Sequence, residues 1–419
     1  MKPSKRIGVP FTCLLLAGVL LLSCISCAYR ISAEELSGTY TRQAVEAGDT
    51  DNDFRAAAAN FAIALLQQTS QQDGTNELIS PLSAMLCLAM LANGAEGETK
   101  AQMEAVLGMR TEDLNRALYA LTSTFLQEKT CKVTQANSIW FRNEEHRLHV
   151  TPEFLQTNAD WYGAQIYSAP FDDTTLKDIN HWVKEHTDGK IKEMLKEIDC
   201  YTVMYLINTL VFDAKWETPY TRSDIKDGTF TAYNGTKQTA DMLCSSESVY
   251  LATDGASGFA KSYAGGRYSF VALLPDDGTD LYAFVNALSG DAWRTIWDSR
   301  VKDAEVAVRM PEFTCTADPI LNNALIAMGM TDLFDSDKAD LSALGYSERG
   351  NLFCSEVQQK CYLEVTRNGT KAAAATKAEV NDGVGKVPYA VTLDRPFVYA
   401  IVDNQTGVPL FLGTVAMLP

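Results

Sequence analysis

The sequence predicts an α+β fold in one large domain. Helical periodicity dominates the early part of the chain, and alternating or continuous apolar runs dominate the later part. The two kinds of segment are interleaved, but without the regular strand–helix–strand alternation of a parallel α/β protein. No internal repeat and no linker-like stretch occurs between Asp53 and Pro419. Hydrophobic residues make up 46% of the chain and charged residues 21%, which suits a globular body with a sizeable core.

Taken in order, Asp53–Thr69 reads as a helix with Phe54, Ala57, Phe61, Ala64 and Leu65 on one side. Ser80 before Pro81 starts the next helix, a capping hydroxyl followed by proline in the first turn. Asn93-Gly94 stops it, and Gly97-Glu98-Thr99 opens another that carries Met103 and Leu107. Lys132–Phe141 alternates as a strand, Thr151–Ala159 is a short helix, and Ile179–Leu195 is a helix ended near Gly189. Met204–Phe212 is an almost uninterrupted apolar run, the mark of a strand buried on both faces. Phe230–Met242, Tyr268–Leu274 and Glu305–Met310 alternate as strands, with turns at Asn234-Gly235 and Asp276-Asp277-Gly278. Ile320–Met330 is a helix; Tyr362–Thr366, Phe397–Asp403 and Leu410–Ala416 are strands.

The formal net charge of −17 argues against binding nucleic-acid backbone or anionic lipid by charge. The N-terminus reads as targeting sequence. Lys2, Lys5 and Arg6 precede an apolar run, Phe11–Leu22, that is short for a membrane span. Ser23-Cys24 at its end resembles a bacterial lipobox, with Cys24 as the lipid anchor and Cys27 a weaker second candidate; an ordinary cleaved secretory signal is the alternative. Residues 1–23 are therefore expected to be a lipoprotein signal peptide. The segment 24–52 is expected to be a polar tether, rich in acidic residues between Ile31 and Asp53. The domain is expected over 53–419, exported and held at a membrane only through that lipid.

The body holds Cys87, Cys131, Cys200, Cys244, Cys315, Cys354 and Cys361, with no zinc-like spacing. Contexts such as Met85-Leu86-Cys87-Leu88 fit buried small hydrophobes. The four histidines, His146, His149, His181 and His186, lie in no metal or nucleophile motif. Gly383-Val384-Gly385-Lys386 lacks the upstream glycine spacing and context of a phosphate loop. No cofactor or metal is expected, and no nucleophile–base–orienter set marks an enzyme.

One stretch stands apart. Arg367–Thr376 reads RNGTKAAAAT. As a strand, it puts Thr370, Ala372, Ala374 and Thr376 on one face and Lys371, Ala373, Ala375 and Lys377 on the other. The first face is small and uncharged throughout, so the segment could slide between two strands of an existing sheet. Gly369 stands where a backbone pivot would be wanted. On these residues alone an Ala-rich helical turn or a flexible linker is also open.

In family order, the chain carries Asn76, Ser80-Pro81 and Ser83; Gly94-Ala95, Gly97 and Thr99; Asn137, Phe154 and Tyr162-Gly163-Ala164. Asn180, Trp182-Val183, Thr187, Gly189-Lys190-Ile191, Leu206-Ile207-Asn208 and Trp216 follow. Then come Leu273-Leu274-Pro275, Gly329-Met330, Asp332, Phe334, Ala339-Asp340, Gly369–Thr376, Arg395-Pro396-Phe397 and Gly413. Together these resemble the serpin family over roughly the whole span from Asp53 to Pro419. The resemblance implies the serpin fold, with three β-sheets, about nine helices and an exposed reactive-centre loop at about 367–395. It implies a monomeric inhibitor of serine proteases, with papain-like cysteine proteases as a further target class. The cleaved loop would enter the large sheet and trap the enzyme. The hinge would be Gly369, Thr370, Ala372, Ala373, Ala374, Ala375 and Thr376.

Two positions depart from the family pattern. Arg367 stands where serpins usually carry Glu, and Glu312 where they usually carry Lys. The double reversal keeps attraction, so Arg367 and Glu312 are expected to pair near Trp216, in the region called the breach. Gln359 stands in place of a histidine that would bond the asparagine matching Asn208. Glutamine both donates and accepts, so a Gln359–Asn208 bond is expected without the pH dependence. Ser80 and Ser83 would complete this second cluster, the shutter. For the reactive bond, counting forward from Arg367 gives Gly383, and counting back from Pro396 gives Gly385. Cleavage between Val384 and Gly385 would suit elastase-like enzymes; cleavage between Lys386 and Val387, trypsin-like ones. A non-inhibitory binding protein of the same fold is the rival reading.

Overall fold

The computed structural model describes residues 29–125, 130–144, 146–370 and 389–418. Capping fixes where the early helices begin. Asp51 accepts from the Phe54 amide at 3.0 Å to start α1 (Asn52–Thr69), and Ser80 accepts from the Ser83 amide to start α2 (Pro81–Ala92). Nearly every residue of α2 is buried, as its all-round apolar sequence requires. The other helices are α3 (Gly97–Leu107), α4 (Thr111–Ser123), α5 (Pro152–Tyr162), α6 (Asp173–His186), α7 (Leu281–Ala287), α8 (Gly290–Asp298) and α9 (Asn322–Met328). None of the described helices is long and apolar enough to cross a membrane.

Three sheets organise the body. The large sheet runs β1 (Glu34–Glu35), β5 (Gln165–Ala169), β3 (Cys131–Arg142), β6 (Met204–Lys215), β15 (Gly369–Thr370), β14 (Cys361–Thr366), β12 (Phe313–Ala317). The second runs β16 (Tyr389–Thr392), β11 (Val301–Pro311), β8 (Lys237–Thr253), β9 (Ala256–Ser262), β10 (Tyr268–Pro275), β17 (Phe397–Asp403), β18 (Pro409–Val415), β2 (Glu77–Ile79), with β7 (Ile225–Thr231) also on β8. The third pairs β4 (His149–Val150) with β13 (Gly345–Tyr346). The inward faces of the two larger sheets, with α1 and α2, enclose the main core, from Phe54 and Leu86 to Phe270 and Tyr399. Helix α6 lies over the other face of the large sheet, where Trp182 and Val183 cover Trp140, Tyr167 and Ile207. Strand β6 is thus packed on both sides around Ile207–Phe212, as its apolar run predicts; its start, Met204–Leu206, is only half-buried.

Two expectations need correction. The helix expected over Ile179–Leu195 is α6, which begins earlier, at the Asp172 cap, and ends at His186. Beyond it the chain folds back on the helix. The Asn180 amide accepts from the Met194 and Leu195 amides at 2.7 and 2.9 Å and donates to the Leu195 carbonyl at 2.7 Å. Those side-chain bonds replace the helical ladder.

The described part of the expected tether, from Tyr29 onward, is docked on the body. Glu34–Glu35 adds an edge strand against β5, and the Leu36 amide bonds the Ile166 carbonyl at 2.8 Å. The fully buried Asp178 carboxylate accepts from the Tyr29 hydroxyl, the Ser32 amide and hydroxyl, and the Ala33 amide at 2.7–3.0 Å. A buried carboxylate needs such donors. The Arg42 guanidinium covers the Tyr119 ring at 5.0 Å and bonds the Asp160 carbonyl. Composition misleads here because the acidic side chains face solvent while the backbone, Arg42, Leu36 and Tyr40 make contacts with the body.

Candidate functional site

Strands β6 and β14 are neighbours in the large sheet only through β15, and β15 is two residues long. The chain leaves β14 at Thr366, turns at Arg367-Asn368 and descends as Gly369–Thr370 between the two strands. The Thr366 hydroxyl donates to the Gly369 carbonyl at 2.9 Å and closes the turn. The base of the hinge is therefore a short central strand within the sheet.

Local packing explains why these two residue types stand there. Gly369 has φ +134°, and a Cβ added to it would lie 2.2 Å from the Ala214 carbonyl oxygen. Only glycine passes between the strands at this level. Thr370 is buried, and its hydroxyl lies 2.7 Å from that of Tyr263, which is also fully buried. The Tyr263 ring stacks on Trp216 with centroids 4.5 Å apart and meets the Phe212 edge at 4.7 Å. Burial drives the Tyr263 phenol well above its ordinary pKa, so it stays neutral. Trp216 in turn donates from Nε1 to the Thr366 carbonyl at 2.8 Å. Beneath it a buried Lys261 ammonium meets Glu247 at 2.7 Å and lies 4.5 Å from the Tyr220 ring.

The structure brings Arg367 and Glu312 together beside Trp216. Glu312 takes Arg367 Nε at 3.2 Å and Nη2 at 3.1 Å, and also accepts the Arg367 backbone amide at 2.6 Å. The bond to this carboxylate holds the Arg367 guanidinium above its ordinary pKa. With side chains 43% and 27% exposed, the ion pair itself contributes no more than about 1 kcal/mol. The backbone-to-carboxylate bond is the stronger element. Glu312→Ala is expected to destabilise the fold by about 2 kcal/mol and Arg367→Ala by less than about 1 kcal/mol in urea titrations. The reverse ranking would show that the ion pair dominates. Reversing both charges would restore the pair but not the amide acceptor.

The second cluster lies lower, around a cavity between β6 and β14. Ser80, Ser83, Cys87, Asn208 and Gln359 line a cavity of about 40 Å³ between β6 and β14, over α2. The expected Gln359–Asn208 hydrogen bond is not made. Gln359 clasps the Ser80 backbone instead, accepting its amide at 2.9 Å and donating to its carbonyl at 2.8 Å. A side-chain amide matches a peptide group in both donor and acceptor, so the backbone takes it. Ser80 keeps its role as helix cap while its hydroxyl donates to the Leu410 carbonyl at 2.7 Å. Asn208 donates to Asn137 Oδ1 at 2.8 Å, and Asn137 donates to the Tyr162 carbonyl at 2.8 Å. That ordered chain leaves Asn208 Oδ1 buried with no partner among the described residues. Burial pushes the Cys87 thiol up to about 12, so it is unreactive at neutral pH.

Val384, Gly385, Lys386 and Val387, the hinge residues Ala372–Thr376 and the lipid-anchor candidate Cys24 lie outside the described residues. Tyr263, Asn137's link to Asn208, and Lys261 with Glu247 carry no local sequence signal for these roles. Among the described residues no group of three or more His, Cys, Asp or Glu is placed to hold a metal. The histidines have structural partners: His146 and His149 pair with Glu348, His181 packs against Tyr29 at a tilt, and His186 Nδ1 lies 2.8 Å from the Trp182 carbonyl oxygen.

A family model described as serpin (serine protease inhibitor) matches residues 56–418. The leukocyte elastase inhibitor A of Rattus norvegicus is 30% identical over 377 residues, which cover 86% of this chain and 98% of that protein. Serpin B8 of Homo sapiens is 31% identical over 379 residues, covering 86% and 98%. Among solved structures, the thermophilic serpin tengpin in its native state is 41% identical, covers 92% of this chain and 100% of its own, and gives a TM-score of 0.87. Its latent state, at 40% identity and coverages of 90% and 100%, gives 0.79.

Proposed function

The chain belongs to the serpin family, and from that premise we propose that it inhibits serine proteases as a suicide substrate. The protease serine attacks the carbonyl carbon of the reactive residue, the peptide bond breaks, and the amine of the next residue leaves. An ester then joins enzyme and inhibitor. The freed hinge continues the strand that Gly369–Thr370 begin and carries the acyl-enzyme away from the site of attack. The observation that carries this reading is that strand of two described residues, seated between β6 and β14 above the cavity that Asn208 and Gln359 line. The small, uncharged face from Thr370 to Thr376 supports it, since little need be displaced on entry.

The reactive bond follows Val384 in this proposal, which suits the shallow pocket of elastase-like enzymes. The similarity to leukocyte elastase inhibitors is consistent with that class. Lys386 is the alternative, for trypsin-like enzymes. Incubation with elastase-, trypsin- and subtilisin-like proteases is expected to give a detergent-resistant band of inhibitor plus enzyme, at a stoichiometry near one with elastase-like members. The released peptide should begin at Gly385; a start at Val387 would move the bond to Lys386, and any other start would reject both. Cleavage by every protease without a covalent band would leave a non-inhibitory binding protein of this fold. Export with Cys24 as a lipid anchor belongs to the same proposal, with simple secretion as the alternative.

A further inference from the structure

A line of polar side chains runs through the apolar core and joins three helices to the large sheet. Asn93, at the end of α2, and Asn115 of α4 exchange side-chain amides. Asn115 donates to Asn93 Oδ1 at 2.8 Å, and Asn93 donates back to Asn115 Oδ1 at 3.4 Å. Asn93 also donates to Asn158 Oδ1 of α5 at 3.3 Å. The Tyr162 hydroxyl, at the end of α5, donates to Asn115 Oδ1. The line continues from the same tyrosine's carbonyl, which accepts from Asn137 of β3 at 2.8 Å. Asn208 of β6, directly opposite Asn137, then donates to Asn137 Oδ1 at 2.8 Å. Asn115, Asn137, Asn158 and Tyr162 are all buried, so water does not compete for these bonds.

Tyr162 is held at both ends, its hydroxyl by α4 and its carbonyl by β3. As the last residue of α5 it offers a carbonyl that the helical ladder does not use, and Asn137 takes it. Gly163, with φ +59°, ends the helix there and turns the chain toward β5. We propose that Tyr162 is the node of a conformational relay, through which the packing of α4 against α5 sets the positions of Asn137 and Asn208 in the large sheet. Removing the bond between its hydroxyl and Asn115 frees the ring, the end of α5 shifts about Gly163, and Asn137 loses the carbonyl that orders it. Asn208 then loses its own acceptor. The relay gives α4, a helix outside the sheet, a route to the centre of β6. It holds whether or not the protein inhibits a protease.

The test is amide hydrogen exchange of the intact full chain, read by mass spectrometry for the wild type, Tyr162→Phe, Asn115→Ala, their double variant and Thr69→Val. Tyr162→Phe removes the hydroxyl and keeps the ring and the carbonyl. It should speed exchange in β3 and β6 around Asn137 and Asn208 by about tenfold, and in β10 and β17 of the second sheet by less than about twofold. Asn115→Ala should give the same pattern, and the double variant should exchange within about twofold of either single one, because both break the same link. Thr69→Val removes a buried hydroxyl of α1 that bonds the Leu65 carbonyl, outside the line, and should not single out β3 and β6. An equal change in both sheets on Tyr162→Phe would reduce Tyr162 to an ordinary core residue and overturn the proposal. Wild-type rates in β3 and β6 would overturn it too, as would effects that multiply in the double variant. If Asn115→Ala does not fold, Tyr162→Phe against Thr69→Val decides alone.

Discussion

Nicking the intact protein between residues 371 and 388 is expected to raise its melting temperature by about 10 °C or more. Among the described residues the central strand β15 has two residues, beside a β6 of twelve. Each residue that enters donates and accepts a backbone hydrogen bond across to β6 or β14, at about 1 kcal/mol net per bond. Fixing its backbone costs about 1–2 kcal/mol. The balance is tipped by the half-buried start of β6 and by the cavity over α2, both of which an inserted strand would cover. A rise of about 10 °C corresponds to a net gain of about 9 kcal/mol for a chain of this size. Differential scanning calorimetry before and after limited proteolysis measures this directly. Unchanged melting would mean that the native state stores nothing for the segment to release, and the inhibitory mechanism would fail with it.

Gly369→Val is expected to convert the protein from inhibitor to substrate. The mutant side chain would collide with the Ala214 carbonyl, and with φ at +134° a β-branched residue is strained whatever the space around it. The turn at Arg367-Asn368 could then deliver the chain only outside the sheet. The Thr370–Tyr263 hydroxyl contact would be lost, and with it the register for entry. The number of inhibitor molecules consumed per protease inactivated should rise at least about tenfold. The rate of first cleavage should stay near wild type, because the reactive bond lies far along the chain from Gly369. Retained inhibition would show that entry does not begin at this glycine.

Much of this was legible in the residues themselves. Ser80-Pro81 gave the start of α2 because a side-chain cap and a fixed φ are local properties. The apolar run at Met204–Phe212 gave β6, and Gly369-Thr370 near the head of RNGTKAAAAT forms β15. The Arg367–Glu312 pair was legible only as two linked departures from a family pattern, and the backbone amide that Glu312 also holds was not. The extent of α6 was misjudged because Asn180 tethers residues fourteen and fifteen positions on, which no helical periodicity records. The acidic segment before Asp51 was misjudged because the partner for its backbone, the open edge of β5, is more than a hundred residues away.

The sequence by itself determined the fold class, the family and the capped helices, because each is written in neighbouring residues or in their order. Only the tertiary structure decided that Gly369 and Thr370 are seated between β6 and β14, that Gln359 turns to Ser80, and that Asn208 Oδ1 has no partner among the described residues. Those outcomes depend on which polar groups meet across strands and helices distant in the chain, and a buried hydrogen bond is decided by the partner that arrives with the right geometry.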